Sequence, residues 1–345
     1  MQRIARGVFV LLLLAMVLPW SASAATTPTT PTTPTTPPTP TTPPPVAPPA
    51  AGTLRLAVAG VFRVSRENMT VSGRSMTVTG VAKPFVAGQV VAVKIRRGRH
   101  LVKSGLFRLK QSRNGTYGSF TVRFSSKPSG RLSISAVHAV TPQLVHLAAV
   151  PQKVDVVVPA AGPGSTGTFV SLVQSRLAAL HFAVPQDGVY DQLTQNAVLA
   201  YRKLRGFARI YTLDGGVIAG LLDGVGSFHV RFPTQGSHVE ANLTNQTLAL
   251  INGSKVFQIY PTSSGKPSTP TVLGTYHVYR RTPGYLPDGM YFSSFFTGGY
   301  AIHGYNPAPT YPASHGCLRL PIDDAIAVYG WVKMGMAVDV YYGAN

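Results

Sequence analysis

The densest run of reactive and small residues in the chain is Ala301-Ile302-His303-Gly304, followed by Ala313-Ser314-His315-Gly316-Cys317-Leu318-Arg319-Leu320. Cys317 is the only cysteine. The thiolate, not the thiol, attacks carbon, so a nucleophilic cysteine at neutral pH needs a neighbouring base, and an imidazole can serve. Two histidines qualify. His315 stands two positions before Cys317 and would point the same way in an extended segment. His303 stands 14 positions upstream, which leaves room for a strand to end, a loop to form and the chain to return. Gly316 can take backbone conformations closed to other residues, so the N–H groups around His315, Gly316 and Cys317 can converge on one point. Such donors stabilise a tetrahedral oxyanion by roughly 2.7–4 kcal/mol each. Arg319 offers a planar fork suited to a carboxylate. The chemistry these residues could perform together is acyl transfer through a thioester. The cysteine count by itself leaves an inert buried thiol equally open.

On these residues the C-terminal part of the chain resembles the L,D-transpeptidase (YkuD) catalytic domain family. His303-Gly304 and the run from Ser314 to Leu320 are similar to the family signature. Ser263-Ser264-Gly265-Lys266, Thr269-Pro270 and Gly274-Thr275-Tyr276 resemble a second stretch of it, and Gly299-Tyr300-Ala301-Ile302 the apolar lead into the His-Gly pair. The resemblance covers residues 229–343. The chain departs from the pattern in the prolines Pro307, Pro309 and Pro312 of the intervening loop, and some members carry Asn where this chain has Arg319. The resemblance implies a mostly-β catalytic domain acting on peptidoglycan stem peptides. Cys317 would attack the third residue of a tetrapeptide stem, release the terminal D-Ala and hold the acyl group as a thioester. The side-chain amine of a second stem would then form a 3–3 cross-link. His303 would be general base and later acid, with the Gly304 carbonyl orienting it. The backbone of His315, Gly316 and Cys317 would form the oxyanion hole, Ser314 would brace the turn, and Arg319 would bind a substrate carboxylate. No cofactor is implied, and no carboxylate or histidine cluster has metal-ligand spacing. The other reading of the same family match is a non-catalytic or protein-attaching cell-wall-binding protein. A sortase-like enzyme sets its His far upstream of the Cys, and papain-like and NlpC-like peptidases place Cys before His, so neither order fits.

Elements able to position these residues are legible around them. Thr247–Ile251 and Lys255–Tyr260 alternate on either side of Asn252-Gly253, which reads as a hairpin with an Asn-Gly turn. Thr275–Tyr279 and Ala337–Tyr341 read as further strands, and Ile322–Met334 as a helix opened by Asp323-Asp324, where acids suit the helix dipole. Upstream, at 165–226, the period changes. Phe169, Val173, Leu177 and Leu180 recur at helical spacing, as do Ala197, Val198, Tyr201 and Leu204, with Thr194 placed to cap the second helix. Val173-Gln174-Ser175-Arg176-Leu177, Asp187-Gly188-Val189-Tyr190 and Asp214-Gly215 make this stretch resemble the peptidoglycan-binding domain type 1 family, a small three-helix module; Asp191 and Arg202 depart from it.

Residues 51–158 read as a β-sandwich, with Val90–Ile95, Gly118–Phe124 and Leu132–Val137 as strands separated by turn residues. The pattern looks like an immunoglobulin-like surface module. This segment holds 17 lysines and arginines against two acids, Glu67 and Asp155, whereas the part after residue 228 holds seven against five. Most of the chain's net charge of +20 therefore sits away from Cys317. Such a surface attracts polyanions, and anionic wall polymers are the expected partner; a rigid spacer is the equal alternative. Residues 1–24 read as a signal peptide, with Arg3 and Arg6 before an apolar run from Val8 to Leu18 and a small-residue site at Ala22-Ser23-Ala24. Residues 25–50 are a Thr/Pro spacer. The expected location is the cell wall or periplasm, with an uncleaved anchor as the alternative, and export argues against nucleic acid as a partner. The fold class expected is thus multidomain: β-sandwich, three-helix module and mostly-β catalytic domain.

Overall fold

The computed structural model describes residues 47–345. The signal segment expected at 1–24, and residues 25–46 of the expected spacer, lie outside the described residues.

The N-terminal part is β-rich. Its strands are β1 (Thr53–Ala59), β2 (Phe62–Val64), β3 (Glu67–Val71), β4 (Ser75–Lys83), β5 (Val90–Arg97), β6 (His100–Arg108), β7 (Lys110–Gln111), β8 (Gly118–Ser125), β9 (Gly130–His138), β10 (Leu147–Ala148) and β11 (Gln152–Val157). One sheet runs β1-β4-β8-β7, and the other β2-β3-β11-β9-β5-β6 with β10 on β9. Strict alternation explains the arrangement: in β4, Met76, Val78 and Ala82 are fully buried while Thr77, Thr79 and Val81 between them are only half-buried. Met76, Val78 and Val122 of the first sheet join Val93, Ile95, Ile134 and Val154 of the second in one apolar core.

Three helices follow: α1 (Thr168–Ala179), α2 (Gln192–Leu204) and α3 (Gly215–Asp223). The cap of α2 is not Thr194. Asp191 occupies the cap position, and its carboxylate accepts the Thr194 N–H at 2.8 Å; Asp214 does the same for α3 through Val217 at 2.9 Å. Thr194 lies inside the first turn, where its hydroxyl meets the buried Gln174. Gln174 also holds the Asp187-Gly188-Val189 turn, donating to Asp187 and to the Val189 carbonyl and accepting the Gly188 N–H. The helices do not close a core of their own. Val173, Leu177, Val198 and Tyr201 pack in one cluster with Val64, Met69 and Val71 on one side and Ala249, Ile251 and Ile259 on the other.

The C-terminal part contains β12 (Ser237–Asn242), β13 (Thr247–Asn252), β14 (Lys255–Pro261), β15 (Gly274–His277), β16 (Arg280–Tyr285), β17 (Tyr291–Thr297), β18 (Tyr300–Tyr305), β19 (Leu318–Pro321), α4 (Ile322–Trp331) and β20 (Ala337–Tyr341). They form two sheets, β14-β13-β12-β20-β15 and β16-β17-β18-β19. Three details differ from the sequence expectation. The hairpin loop is Gly253-Ser254, because Asn252 still pairs with Lys255; Gly253 at φ 60° fits the first central position of a type II′ turn. The strand expected to reach Tyr279 ends at His277, since Val278 turns to donate to Met336 and Tyr279 to Phe295 of the other sheet. The late helix ends at Trp331, where Val332 turns extended and becomes fully buried. Helix α4 packs beside β17, β18 and β19, and its Val328 joins Ile302, Leu318 and Leu320 in the core beneath the site.

Candidate active site

Strands β18 and β19 run parallel, with Ile302 opposite Leu318, His303 opposite Arg319 and Gly304 opposite Leu320. A parallel pair needs a crossover, and the chain makes it through residues 306–317. Cys317 is the last residue before β19, so the ladder sets it across from the segment that carries His303. The two meet in a cleft of about 370 Å³ lined also by Asp288, Met290, Gly299, Tyr300, Tyr305, His315 and Arg319.

The turn before Cys317 is stapled from both sides. The Ser314 hydroxyl donates to the Cys317 carbonyl at 2.7 Å and accepts the Gly316 N–H at 3.0 Å. The Ser314 carbonyl accepts from the Thr269 hydroxyl and from the Lys266 N–H, each at 3.0 Å. Ser314 and Ala313 donate in turn to the Ser264 carbonyl, while Ser263 and Arg319 exchange both backbone hydrogen bonds. The Ser263–Lys266 and Thr269-Pro270 motifs are therefore the brace of the cysteine turn. Gly265 has to be glycine there, because a Cβ would stand 2.2 Å from the Thr269 carbonyl oxygen. Gly316 has φ +120°, and a Cβ would stand 2.0 Å from the Tyr300 ring. Its conformational freedom serves the turn as expected, but its N–H is spent on Ser314. Of the three backbone donors expected around the turn, those of His315 and Cys317 have no acceptor among the described residues.

His303 is 2% exposed, and its Nδ1 lies 2.8 Å from the Gly304 carbonyl oxygen. A carbonyl only accepts, so Nδ1 carries the proton and Nε2 keeps a free lone pair. Burial pulls the imidazole down to about pH 4, against the Gly304 bond, which works the other way; the positive charge of Arg319 adds to the fall. Burial also pushes the Cys317 thiol up, and the Ala301 backbone and Arg319 offset part of this. Near neutral pH the pair is thus a neutral imidazole beside a neutral, half-buried thiol, not an ion pair. Such a pair suits proton transfer during attack.

The other residues expected at the site fall into place unevenly. His315 is solvent-exposed and its Nε2 lies 3.4 Å from the Lys266 ammonium, which can only donate. Its lone pair is engaged outside the thiol, leaving His303 with the lone pair free. The Arg319 guanidinium lies 3.8 Å from the Tyr305 ring centre and donates to the Ala313 carbonyl at 3.4 Å, so part of its fork is committed within the protein. Asp288, on the β16–β17 loop, is the one carboxylate lining the cleft, and its charge opposes that of Arg319 on both His303 and Cys317. Its sequence context, Pro287-Asp288-Gly289, signals only a turn. Tyr300 and Tyr305 also line the cleft. Among the described residues no group of His, Cys, Asp or Glu could hold a metal ion.

Cys317 and His303 line one cleft at the end of a parallel ladder, behind a stapled turn, an arrangement that could carry out acyl transfer. Residues 236–340 match the model of the L,D-transpeptidase catalytic domain, YkuD. No curated protein matches the chain. Solved structures similar to it include an L,D-transpeptidase from Xylanimonas cellulosilytica, 32% identical, covering 52% of this chain and 97% of that one with a TM-score of 0.48. Another is the catalytic domain of the E. faecium L,D-transpeptidase, 26% identical over 31% of this chain and 98% of that one, TM-score 0.28. A third is an L,D-transpeptidase from Mycobacterium smegmatis, 15% identical over 81% of this chain and 98% of that one, TM-score 0.28. The chain therefore carries an L,D-transpeptidase (YkuD) catalytic domain at residues 236–340.

Proposed function

We propose that the protein is an exported peptidoglycan L,D-transpeptidase with Cys317 as nucleophile and His303 as base. The observation that carries this is the His303 ring, tied through Nδ1 to Gly304 with Nε2 free, in the same cleft as the half-buried Cys317 thiol. In the first step Cys317 Sγ bonds to the carbonyl carbon of the donor stem's third residue and its proton passes to His303 Nε2. The oxyanion is met by the backbone N–H of Cys317, with that of His315 beside it. The C–N bond to D-Ala breaks, the leaving amine takes the proton from His303, and a thioester remains. In the second step an acceptor amine attacks the thioester carbon and gives its proton to His303, which returns it to the Cys317 sulfur as the C–S bond breaks. Arg319 supplies positive charge that favours the thiolate and faces a substrate carboxylate with the rest of its fork.

The helical part at 165–226 acts as a peptidoglycan-binding module, and the basic 51–158 segment holds the enzyme to anionic wall polymers. Its charge supports that reading: Lys94 and Arg96 of β5 and Lys153 of β11 lie exposed on one outer sheet face, interleaved with Ser133 and Ser135 of β9. The signal segment at 1–24 would place the protein in the cell wall or periplasm. No helix among the described residues is long and apolar enough to cross a membrane. The test is purified protein with tetrapeptide muropeptides, followed by mass spectrometry. D-Ala release, a covalent acyl adduct on Cys317 and 3–3 dimers are expected, and all three vanish in Cys317→Ala. Dimers formed equally by Cys317→Ala would refute the assignment.

A further inference from the structure

The catalytic cleft does not end at Tyr305. The same residue walls a second cavity, of about 400 Å³, whose far side is the helical part of the molecule: Gln192, Gln195 and Asn196 of α2, with Tyr211. Gln192, Ile322 and Asp323 in turn wall a third cavity of about 500 Å³, closed by Tyr285 and Tyr291. The three cavities lie in a row with shared walls: Tyr305 stands between the cleft of Cys317 and the second cavity, and Gln192, Ile322 and Asp323 between the second and the third.

The lining of the two outer cavities says what they suit. It is amide, phenol and short apolar side chain, with Asp191 and Asp323 as the charged groups. No lysine or arginine lines either one, in a chain with a net charge of +20. An anionic polymer would not choose this surface. One of the amides is anchored: Gln192 donates to Asn196 Oδ1 at 3.0 Å, and Asn196 is 1% exposed, which leaves the Gln192 carbonyl oxygen and second N–H unspent. Tyr285 is 66% exposed although its ring lies 4.4 Å from that of Tyr291, centre to centre. Planar amides beside an open aromatic face match a ligand that is neutral, rich in hydroxyl and amide groups, and apolar on one ring face. An acetamido-sugar chain has that chemistry, and a peptidoglycan stem is attached to one.

We infer that the groove between α2 and the catalytic domain, from Tyr305 through Gln192 and Gln195 to Tyr285, is a subsite for the glycan part of the donor substrate. This rests on the transpeptidase reading. The helical part then does more than tether the enzyme: it supplies one wall of the substrate site.

The experiment compares kcat/KM of Cys317 acylation for the free tetrapeptide stem and for the same stem carrying its disaccharide. Both are measured on one sample of each protein, so the ratio does not depend on the fraction folded. The parent is expected to favour the sugar-bearing stem by about tenfold, which corresponds to ~1.4 kcal/mol. In Gln192→Ala/Gln195→Ala and in Tyr285→Ala the ratio is expected to fall toward one. A ratio of one in the parent, or one that all variants keep, overturns the proposal. So does a change confined to the partition of the thioester between water and an added amine, because the groove would then hold the acceptor peptide. Acylation by neither substrate in the parent would instead sink the transpeptidase reading, and the subsite with it.

Discussion

The β-rich part and the catalytic domain are built from the same alternating strands, yet they place polarity in opposite ways. In the β-rich part the interior between the sheets is apolar and the charge is outside, with 17 basic residues against two acids over 51–158. Its two carboxylates are both engaged by Arg131, which binds Asp155 at 2.7 Å and approaches Glu67 at 3.7 Å. In the catalytic domain three of the five carboxylates are taken inside, and the interior is polar: Glu240, Asn242, Gln246, Ser263, Ser264, His303, Ser314, Asp324 and Asp339 are all buried. A buried polar group without a partner costs about 1–3 kcal/mol. The catalytic interior therefore accepts a stability penalty wherever its network is incomplete, and gains a fixed geometry around one thiol. The β-rich part buries few polar side chains, among them Thr70, Gln89, Ser126 and His138, and no carboxylate.

That contrast can be broken most sharply at the imidazole. His303→Gln is expected to lower acylation by about 10²–10⁴-fold with little change in thermal stability. The pH profile should separate the buried base from an ordinary one. With His303 held down to about pH 4, the base is lost as pH falls through about 4 and not near 6.5. A limb near 6.5 in single-turnover acylation would contradict the neutral pair. Next comes the brace. Ser314→Ala leaves the Gly316 N–H and the Cys317 carbonyl without their bonds, and roughly tenfold slower acylation together with a loss of about 1–3 kcal/mol in denaturant unfolding is expected. A stable variant with full activity would show that the turn holds without its staple.

A smaller effect tests the cost of the polar interior directly. Burial, with the charge of Asp323, keeps the Asp324 carboxyl protonated up to about pH 8. The unfolded chain releases that proton near pH 3.8, so between these values the folded state binds more protons and loses stability as pH rises. Asp324→Asn mimics the protonated acid. Its melting temperature should equal the parent's near pH 4 and exceed it by several degrees at pH 8; equal curves throughout would remove the penalty from the argument. The smallest expected change in turnover lies on the other side of the comparison. Lys94→Gln/Arg96→Gln/Lys153→Gln should leave kcat on a soluble stem within about twofold while weakening sedimentation with anionic wall polymer. That binding should itself weaken with salt, as screening of exposed charge requires.

The parts legible in the sequence were those whose physics is local. Ala337–Tyr341 alternates and forms a strand over those residues, and the freedom of the glycine in the turn could be read from residue type alone. What escaped depended on contacts between distant segments. Thr194 looked like a cap by position, but Asp191 one turn earlier holds the cap, and the Thr194 hydroxyl instead meets Gln174 and donates to the Val189 carbonyl. His315 and His303 could not be separated by residue type and spacing; the family resemblance pointed to His303, and only the fold shows Lys266 reaching His315 while the Gly304 carbonyl holds His303. Gly316 showed its freedom in the sequence but not that Ser314 would consume its N–H. Asp288 and the groove wall on α2 enter the site only through packing of separate parts of the chain, and single-segment patterns carry no trace of either.

The parallel pairing of β18 with β19 has one further consequence. Base and nucleophile are set opposite each other by a ladder, while the 12 residues between the strands, Asn306–Cys317, leave and re-enter at the same end of it. Much of that excursion can lengthen, shorten or trade its prolines without altering the separation of the two reacting groups, provided Ser314 to Cys317 keep their turn. What the enzyme accepts can therefore drift under selection while what it does to the accepted molecule stays constant.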